Sequence, residues 1–146
     1  MATSHESENS ALFKWLSEYW HNLLFQPDDE LAINTFESRM AKDVTIKINH
    51  DHVPRQAYFE YITSTRAAHD LILLSEKQLK VWEAPGGGGS IAYEGELMYN
   101  DKKTGEKQTG SVVMIADIRK GDDGNFTIVQ STEIATRSEG KINTFT

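Results

Sequence analysis

Four runs in the second half of the chain, Leu71–Glu83 (LILLSEKQLKVWE), Ile91–Asn100 (IAYEGELMYN), Ser111–Arg119 (SVVMIADIR) and Phe126–Arg137 (FTIVQSTEIATR), decide the fold. Each is rich in branched and aromatic residues, and no helix-period segment separates them, so each reads as a β-strand. Between them stand Pro85-Gly86-Gly87-Gly88-Gly89, Asp101-Lys102-Lys103-Thr104-Gly105 and Gly121-Asp122-Asp123-Gly124, all with turn chemistry. Parallel pairs need long crossovers, so short linkers predict an antiparallel meander. A sheet of this length curves and needs a cover on one face.

The first half supplies that cover. Ser10 is a plausible N-cap for a helix over Ala11–Phe25, with Leu12, Phe13, Leu16, Trp20, Leu23 and Leu24 at three-to-four-residue spacing. Pro27 ends it. Asp28 and Asp29 open a second helix to about Ala41, with Leu31, Ala32, Thr35, Phe36 and Met40 on its buried side. Val44-Thr45-Ile46-Lys47-Ile48 alternates as a half-buried strand does, and His50-Asp51-His52 reads as a turn. Pro54 suits the first position of a third helix through about Ala68, with Tyr58, Phe59, Ile62 and Thr65 facing in. Helices followed by strands predict an α+β architecture: a cone-shaped shell of about three helices on a curved, mainly antiparallel sheet.

The chain has 146 residues, enough for one domain with a core of its own, expected over Ser10–Ser138 between tails at 1–9 and 139–146. It has no cysteine, which removes disulfides, thiolate chemistry and cysteine-ligated zinc. A formal charge of −7 argues against a nucleic-acid partner and against an anionic membrane surface. The polar first residues lack the apolar core of a signal peptide, and no apolar run approaches ~20 residues, so a soluble cytoplasmic protein is expected. Gly86-Gly87-Gly88-Gly89-Ser90 matches both a native mobile hairpin loop at the mouth of the shell and a synthetic flexible linker. The strand patterns flanking it favour the native loop. It is no phosphate loop, because a strand follows and no Lys-Ser/Thr pair does.

This element order, with the phrase Ala41-Lys42-Asp43-Val44-Thr45-Ile46 ahead of Pro54-Arg55, resembles the nuclear-transport-factor-2-like superfamily and within it the SnoaL-like small proteins. The resemblance covers about Ser10–Ser138 and implies a cystatin-like cone around a mostly apolar cavity that works without a cofactor. Enzymes of this kind include ketosteroid isomerases, dehydratases, epoxide hydrolases and polyketide cyclases, beside non-catalytic binding modules. The isomerase pattern wants a carboxylate near the end of the first strand, where this chain has Ile48 beside Asn49. Its oxyanion aspartate falls nearest Ala116, with Asp117 one residue off and expected on the opposite face. Tyr19 comes near its tyrosine only across a small insertion. The chain therefore does not read as a ketosteroid isomerase.

The resemblance nominates another carboxylate. Aligned on Gly124-Asn125-Phe126, the last strand turns Val129, Ser131 and Glu133 toward the cavity, where desolvation would raise the acid's proton affinity and suit it to acid–base work. The opposite set, Ile128, Gln130, Thr132 and Ile134, is equally compatible with alternation. Tyr19 and His52 are further candidates for proton transfer or hydrogen bonding. His50 and His52 could point the same way, but no third ligand motif accompanies them, and no metal is expected. Trp20, Tyr58 and Tyr61 are candidate wall residues, their rings suiting a ring-bearing ligand, and Trp82, Met98 and Met114 join them. Each fills a core equally well. Glu94 and Glu96 alternate with apolar residues and read as solvated.

Val113, Ile115, Ile128 and Ile134 cannot all lie inside if Met114, Ile118 and Val129 do. An apolar outer face predicts a homodimer through the sheet. The function expected from these readings is a cofactor-independent isomerase, cyclase or dehydratase acting on an apolar, ring-forming small molecule such as a polyketide or terpenoid intermediate. The alternative is a non-catalytic module of the same fold that binds a ligand or a protein. An open cavity holding a buried ionisable group favours the enzyme; one packed shut by Trp20, Phe36, Met98 and Met114 favours the module.

Overall fold

A computed structural model describes residues 9–138. The expected tails at 1–9 and 139–146 lie, Asn9 apart, outside the described residues. Among these residues three helices, α1 (Ala11–Leu24), α2 (Asp29–Arg39) and α3 (Arg55–Ala68), accompany six strands: β1 (Met40–Ile48), β2 (Asp51–His52), β3 (His69–Glu83), β4 (Gly88–Asp101), β5 (Lys107–Lys120) and β6 (Phe126–Arg137). The sheet runs β2-β1-β6-β5-β4-β3. Every neighbouring pair is antiparallel except β1 with β6, where the first long strand lies parallel to the last. The result is the α+β shell that the pattern predicts: helices on one face of a curved, mainly antiparallel sheet. Among the described residues no helix is long and apolar enough to cross a membrane.

Local chemistry accounts for the helix ends. Ser10 caps α1 by accepting from the Phe13 N–H at 3.0 Å, and its own backbone N–H and hydroxyl donate to Gln78 on β3. Asp28 caps α2, accepting from Glu30 and Leu31. Pro54 stands at the N-cap of α3, not inside it, and its carbonyl takes the first helical bond from the Tyr58 N–H. Arg66 ties the helices together. Its buried guanidinium donates to the Leu23 carbonyl at the end of α1 and to Asp29 at the start of α2.

Two boundaries differ from local expectation, both for tertiary reasons. Met40 and Ala41 fit a helix continuing to about Ala41, yet the chain turns extended at Met40, which pairs with Ile128 and is 1% exposed. Burial in the core there outweighs helix propensity. The expected turn at His50–His52 begins one residue earlier, at Asn49 (φ 56°), and Asp51–His52 pair back onto β1 as the short β2. The glycine-rich segment runs from a turn into β4. Gly88 and Gly89 are paired strand residues, and the turn closes through Ala84 N–H to Gly88 O at 2.8 Å. At Gly89 (φ 149°) a Cβ would stand 2.0 Å from the Trp82 carbonyl, so the strand needs glycine there.

Candidate active-site cavity

The site begins with a bulge in β6. Ile118 pairs with Ile128 and Asp117 with Gln130, leaving Val129 as an extra residue. The bulge resets the alternation, so Ile128 faces the helices before it, and Ser131 and Glu133 face them after it. Of the first candidate set Ser131 and Glu133 face the helices and Val129 does not; of the second only Ile128 does. Val129 itself does not line the cavity.

Glu133 is 5% exposed. Its Oε2 accepts from the Tyr58 hydroxyl of α3 at 2.9 Å and from the Ser131 hydroxyl, two residues back on β6, at 3.2 Å. Oε1 has no hydrogen-bond partner among the described residues. Burial pushes the carboxyl up to about 7, and the two hydroxyls oppose that rise by favouring the ionised form. A group poised there carries or releases a proton near neutral pH. The same burial, with the Glu133 charge alongside, drives the Tyr58 phenol well above its ordinary range, so Tyr58 is a neutral donor.

Asn49 holds this stretch of β6 in place. Its backbone N–H donates to the Glu133 carbonyl, and its side chain exchanges hydrogen bonds with the backbone of Ala135. Ile48 pairs in register with Glu133. The isomerase-like pattern places its base at Ile48, and here a carboxylate sits at the same level, one strand over.

Above Glu133 lies a cavity of about 60 Å³ walled by two helices and the sheet: Trp20, Leu24 and Phe25 at the end of α1, Tyr58, Tyr61 and Ile62 of α3, Ile48 of β1 and the inner face of β3–β6. The wall is overwhelmingly apolar. Gly95 leaves room in it, because a Cβ there would press on the Tyr93 ring. Tyr93 is anchored through its hydroxyl to Glu76, which also accepts from Ser17 of α1. The Trp20 indole N–H has no acceptor among the described residues. Leu24, Phe25 and Tyr61 are only half-buried, and Leu24 and Phe25 also border a wider polar crevice of about 240 Å³ with Asp29, Arg66, His69 and Lys102. At about 60 Å³ the cavity is well below the usual ligand-site range, so a large ring system enters only if these rim side chains move.

Of the residues nominated from sequence, the structure brings Glu133, Trp20, Tyr58 and Tyr61 to the cavity, with Ser131 beneath the carboxylate. Others lie elsewhere. Tyr19 is wholly buried behind the cavity, between Trp15 and Trp20, with its hydroxyl unpartnered among the described residues and its phenol pushed up by burial and by Glu133. His52 pairs with Lys47 and is exposed at the sheet edge. Trp82, 61% exposed, and Met98 are on the outer face, opposite Ser90 and Ile72 respectively. Met114 faces inward but fills the core between Tyr93 and Glu133. Tyr93 and Tyr99 were not nominated. The signal was present in the alternation of Tyr93, Gly95, Leu97 and Tyr99, which puts small and large residues on one face of β4. The groups that could hold a metal are also answerable: no cluster of three or more histidine or acidic side chains suited to one occurs among the described residues.

No protein-family model and no curated protein sequence matches the chain. Solved structures do match it. ActVI-ORFA from Streptomyces coelicolor aligns with a TM-score of 0.61 at 8% identity, over 88% of this chain and 98% of that one. A protein from Xanthomonas campestris pv. campestris, provisionally described as a polyketide cyclase, gives 0.57 at 15%, over 82% and 85%. A ketosteroid isomerase-like protein from Erwinia carotovora atroseptica gives 0.56 at 12%, over 75% and 82%. At these identities the likeness concerns the fold. The fold is the nuclear-transport-factor-2-like, cystatin-like one.

Proposed function

We propose that this protein is a cofactor-independent acid–base enzyme, an isomerase, cyclase or dehydratase of the SnoaL-like kind, acting on a ring-forming small molecule of the polyketide or terpenoid type. The observation that carries this reading is the Glu133 carboxyl, buried in an apolar wall, with one oxygen free of partners among the described residues and burial pushing it up to about 7. A purely structural acid in that position would have both oxygens satisfied. Solved relatives of the fold described as a polyketide cyclase and as ketosteroid isomerase-like lend further support.

In this mechanism Glu133 Oε1 takes a proton from a carbon beside a carbonyl and returns it to a neighbouring position. Tyr58 and Ser131 hold Oε2 and so fix the direction in which Oε1 points. Trp20 lines the same cavity, and its N–H, without an acceptor among the described residues, is the donor proposed for the carbonyl oxygen as negative charge develops there. The test is a thermal-shift screen of polycyclic ketones, phenols and terpenoids on wild type and Glu133→Ala, followed by turnover assays on the hits. A ligand at ~100 times its dissociation constant stabilises the fold by about 2.7 kcal/mol. Hits whose turnover disappears in the variant support the reading. Hits without turnover in wild type return the protein to the binding-module alternative.

The outer sheet face supports a second proposal, a homodimer. Ile115 and Ile134 are more than half exposed, and the paired Ala92, Ile115, Val113 and Ile134 form one apolar patch. The three helices pack on the opposite face, so the described chain has nothing of its own to cover this one.

A further inference from the structure

The chain has five arginines, and four of them are paired with a carboxylate: Arg39 with Glu18, Arg55 with Glu37, Arg66 with Asp29 and Arg119 with Asp117. Arg137 is the exception. Among the described residues no acid lies within ion-pair distance of it, in a chain whose formal charge is −7. Two tyrosines hold it instead. Its guanidinium lies 3.9 Å over the Tyr99 ring, and Nη2 donates to the Tyr61 hydroxyl at 3.2 Å. Both tyrosines line the cavity. The Arg137 Nε–H is shielded from solvent and has no acceptor among the described residues.

Position adds to this. Glu133, Ala135 and Arg137 occupy one row on the inner face of β6, and Glu133 and Ala135 line the cavity. Four residues of strand separate the acid from the cation, ~13 Å at about 3.3 Å per residue. The cavity therefore has a carboxyl in its wall and a cation behind its tyrosine rim. A guanidinium presents five N–H donors in a planar fork that matches a carboxylate, and stacking on an aromatic ring pre-orients that fork. Glu96 borders the same outer depression as Arg137 but bonds to Ser75 on the outer face.

The geometry points to Arg137 as the seat of an anionic group on the ligand, so that the cavity takes organic acids: ring compounds whose carboxylate meets Arg137 at the rim while the apolar ring enters toward Glu133. This inference rests on the cavity being a ligand site, as proposed above, and adds the charge of what it takes. A neutral ketone or hydrocarbon would leave the Arg137 charge with no counter-ion among the described residues.

The experiment compares benzoate with methyl benzoate by titration calorimetry, slightly on the acid side of neutrality, on wild type and on Arg137→Gln. Wild type binds the acid about tenfold or more tightly than the ester, as a charge-assisted pair in a partly dry site does. Arg137→Gln brings the two to equal affinity while ester binding persists. Arg137→Lys keeps the charge without the fork and retains part of the preference. Equal affinity in wild type overturns the inference without needing any variant, as does a preference that survives in folded Arg137→Gln. In both of those cases ester binding leaves the cavity reading standing. If neither probe binds wild type, the cavity reading and this inference fall together.

Discussion

Glu133 and Ile134 are neighbours on β6, and their environments are the reverse of their chemistry. The carboxylate is 5% exposed on the inner face, and the isoleucine is 62% exposed on the outer one. In a strand, successive side chains point to opposite faces whatever their polarity, so one phase choice exchanges both at once. A strand kept only for stability would take the other phase, burying Ile134 and solvating Glu133. The cost of the phase adopted is concentrated in one acid, which is where a protein under functional constraint departs from packing rules.

The sharpest way to break the comparison is Glu133→Gln. It keeps the shape and can keep hydrogen bonds to Tyr58 and Ser131, but cannot carry the proton. Turnover of any substrate found by the screen falls about 10²–10⁴-fold, with the Tm at neutral pH unchanged or raised. Comparable turnover in the variant would show that Glu133 is not the proton carrier.

The second test is pH dependence, and its sign follows from burial. Glu133 has its proton affinity raised in the folded state, from an ordinary 4.5 to about 7. Between those values the native state holds a proton that the unfolded chain has lost. The stability it contributes is full below about 4.5 and is lost as pH rises through about 7, amounting to about 3 kcal/mol. Denaturant unfolding across this range should show that decline in wild type and not in Glu133→Gln. Activity that needs the ionised base rises over the same interval, so the form that works is the form the fold tolerates least.

A third, smaller change sharpens the role of the hydroxyls. Tyr58→Phe removes one of the two donors that favour the ionised carboxylate. The pH–rate limb then moves to higher pH, and stability falls by about 1 kcal/mol at neutral pH. A limb that stays in place would mean that Tyr58 does not tune the acid. The smallest effect belongs to the outer face. Ile134→Lys changes the stability of the folded monomer by at most about 0.5 kcal/mol but abolishes self-association in analytical ultracentrifugation. Wild type that sediments as a monomer at all concentrations overturns the dimer proposal.

Much of this molecule is legible one segment at a time. The apolar spacing of Leu12, Leu16, Trp20 and Leu23, the caps at Ser10 and Asp28, and the turns at Asp101–Gly105 and Gly121–Gly124 are local signals, and the elements lie where they predict. Propensity, capping and turn chemistry act within a few residues, so a single sequence contains them in full. The order of those elements also carries the architecture, because short links leave few ways to arrange helices and strands.

What depends on tertiary structure is which face, which register and which neighbour. The phase of β6 turns on a bulge at Val129 that exists only against β5, so a single row of alternating residues could not decide between Glu133 and Ile134. Trp82 and Met98 look like wall residues by composition and face outward by register. Tyr58 meets Glu133 across 75 positions of sequence, and Arg137 meets Tyr61 across 76. Such pairs have no local signature: the strength of each contact depends on the burial that the whole fold supplies, and the same residues in an unfolded chain are strangers to each other.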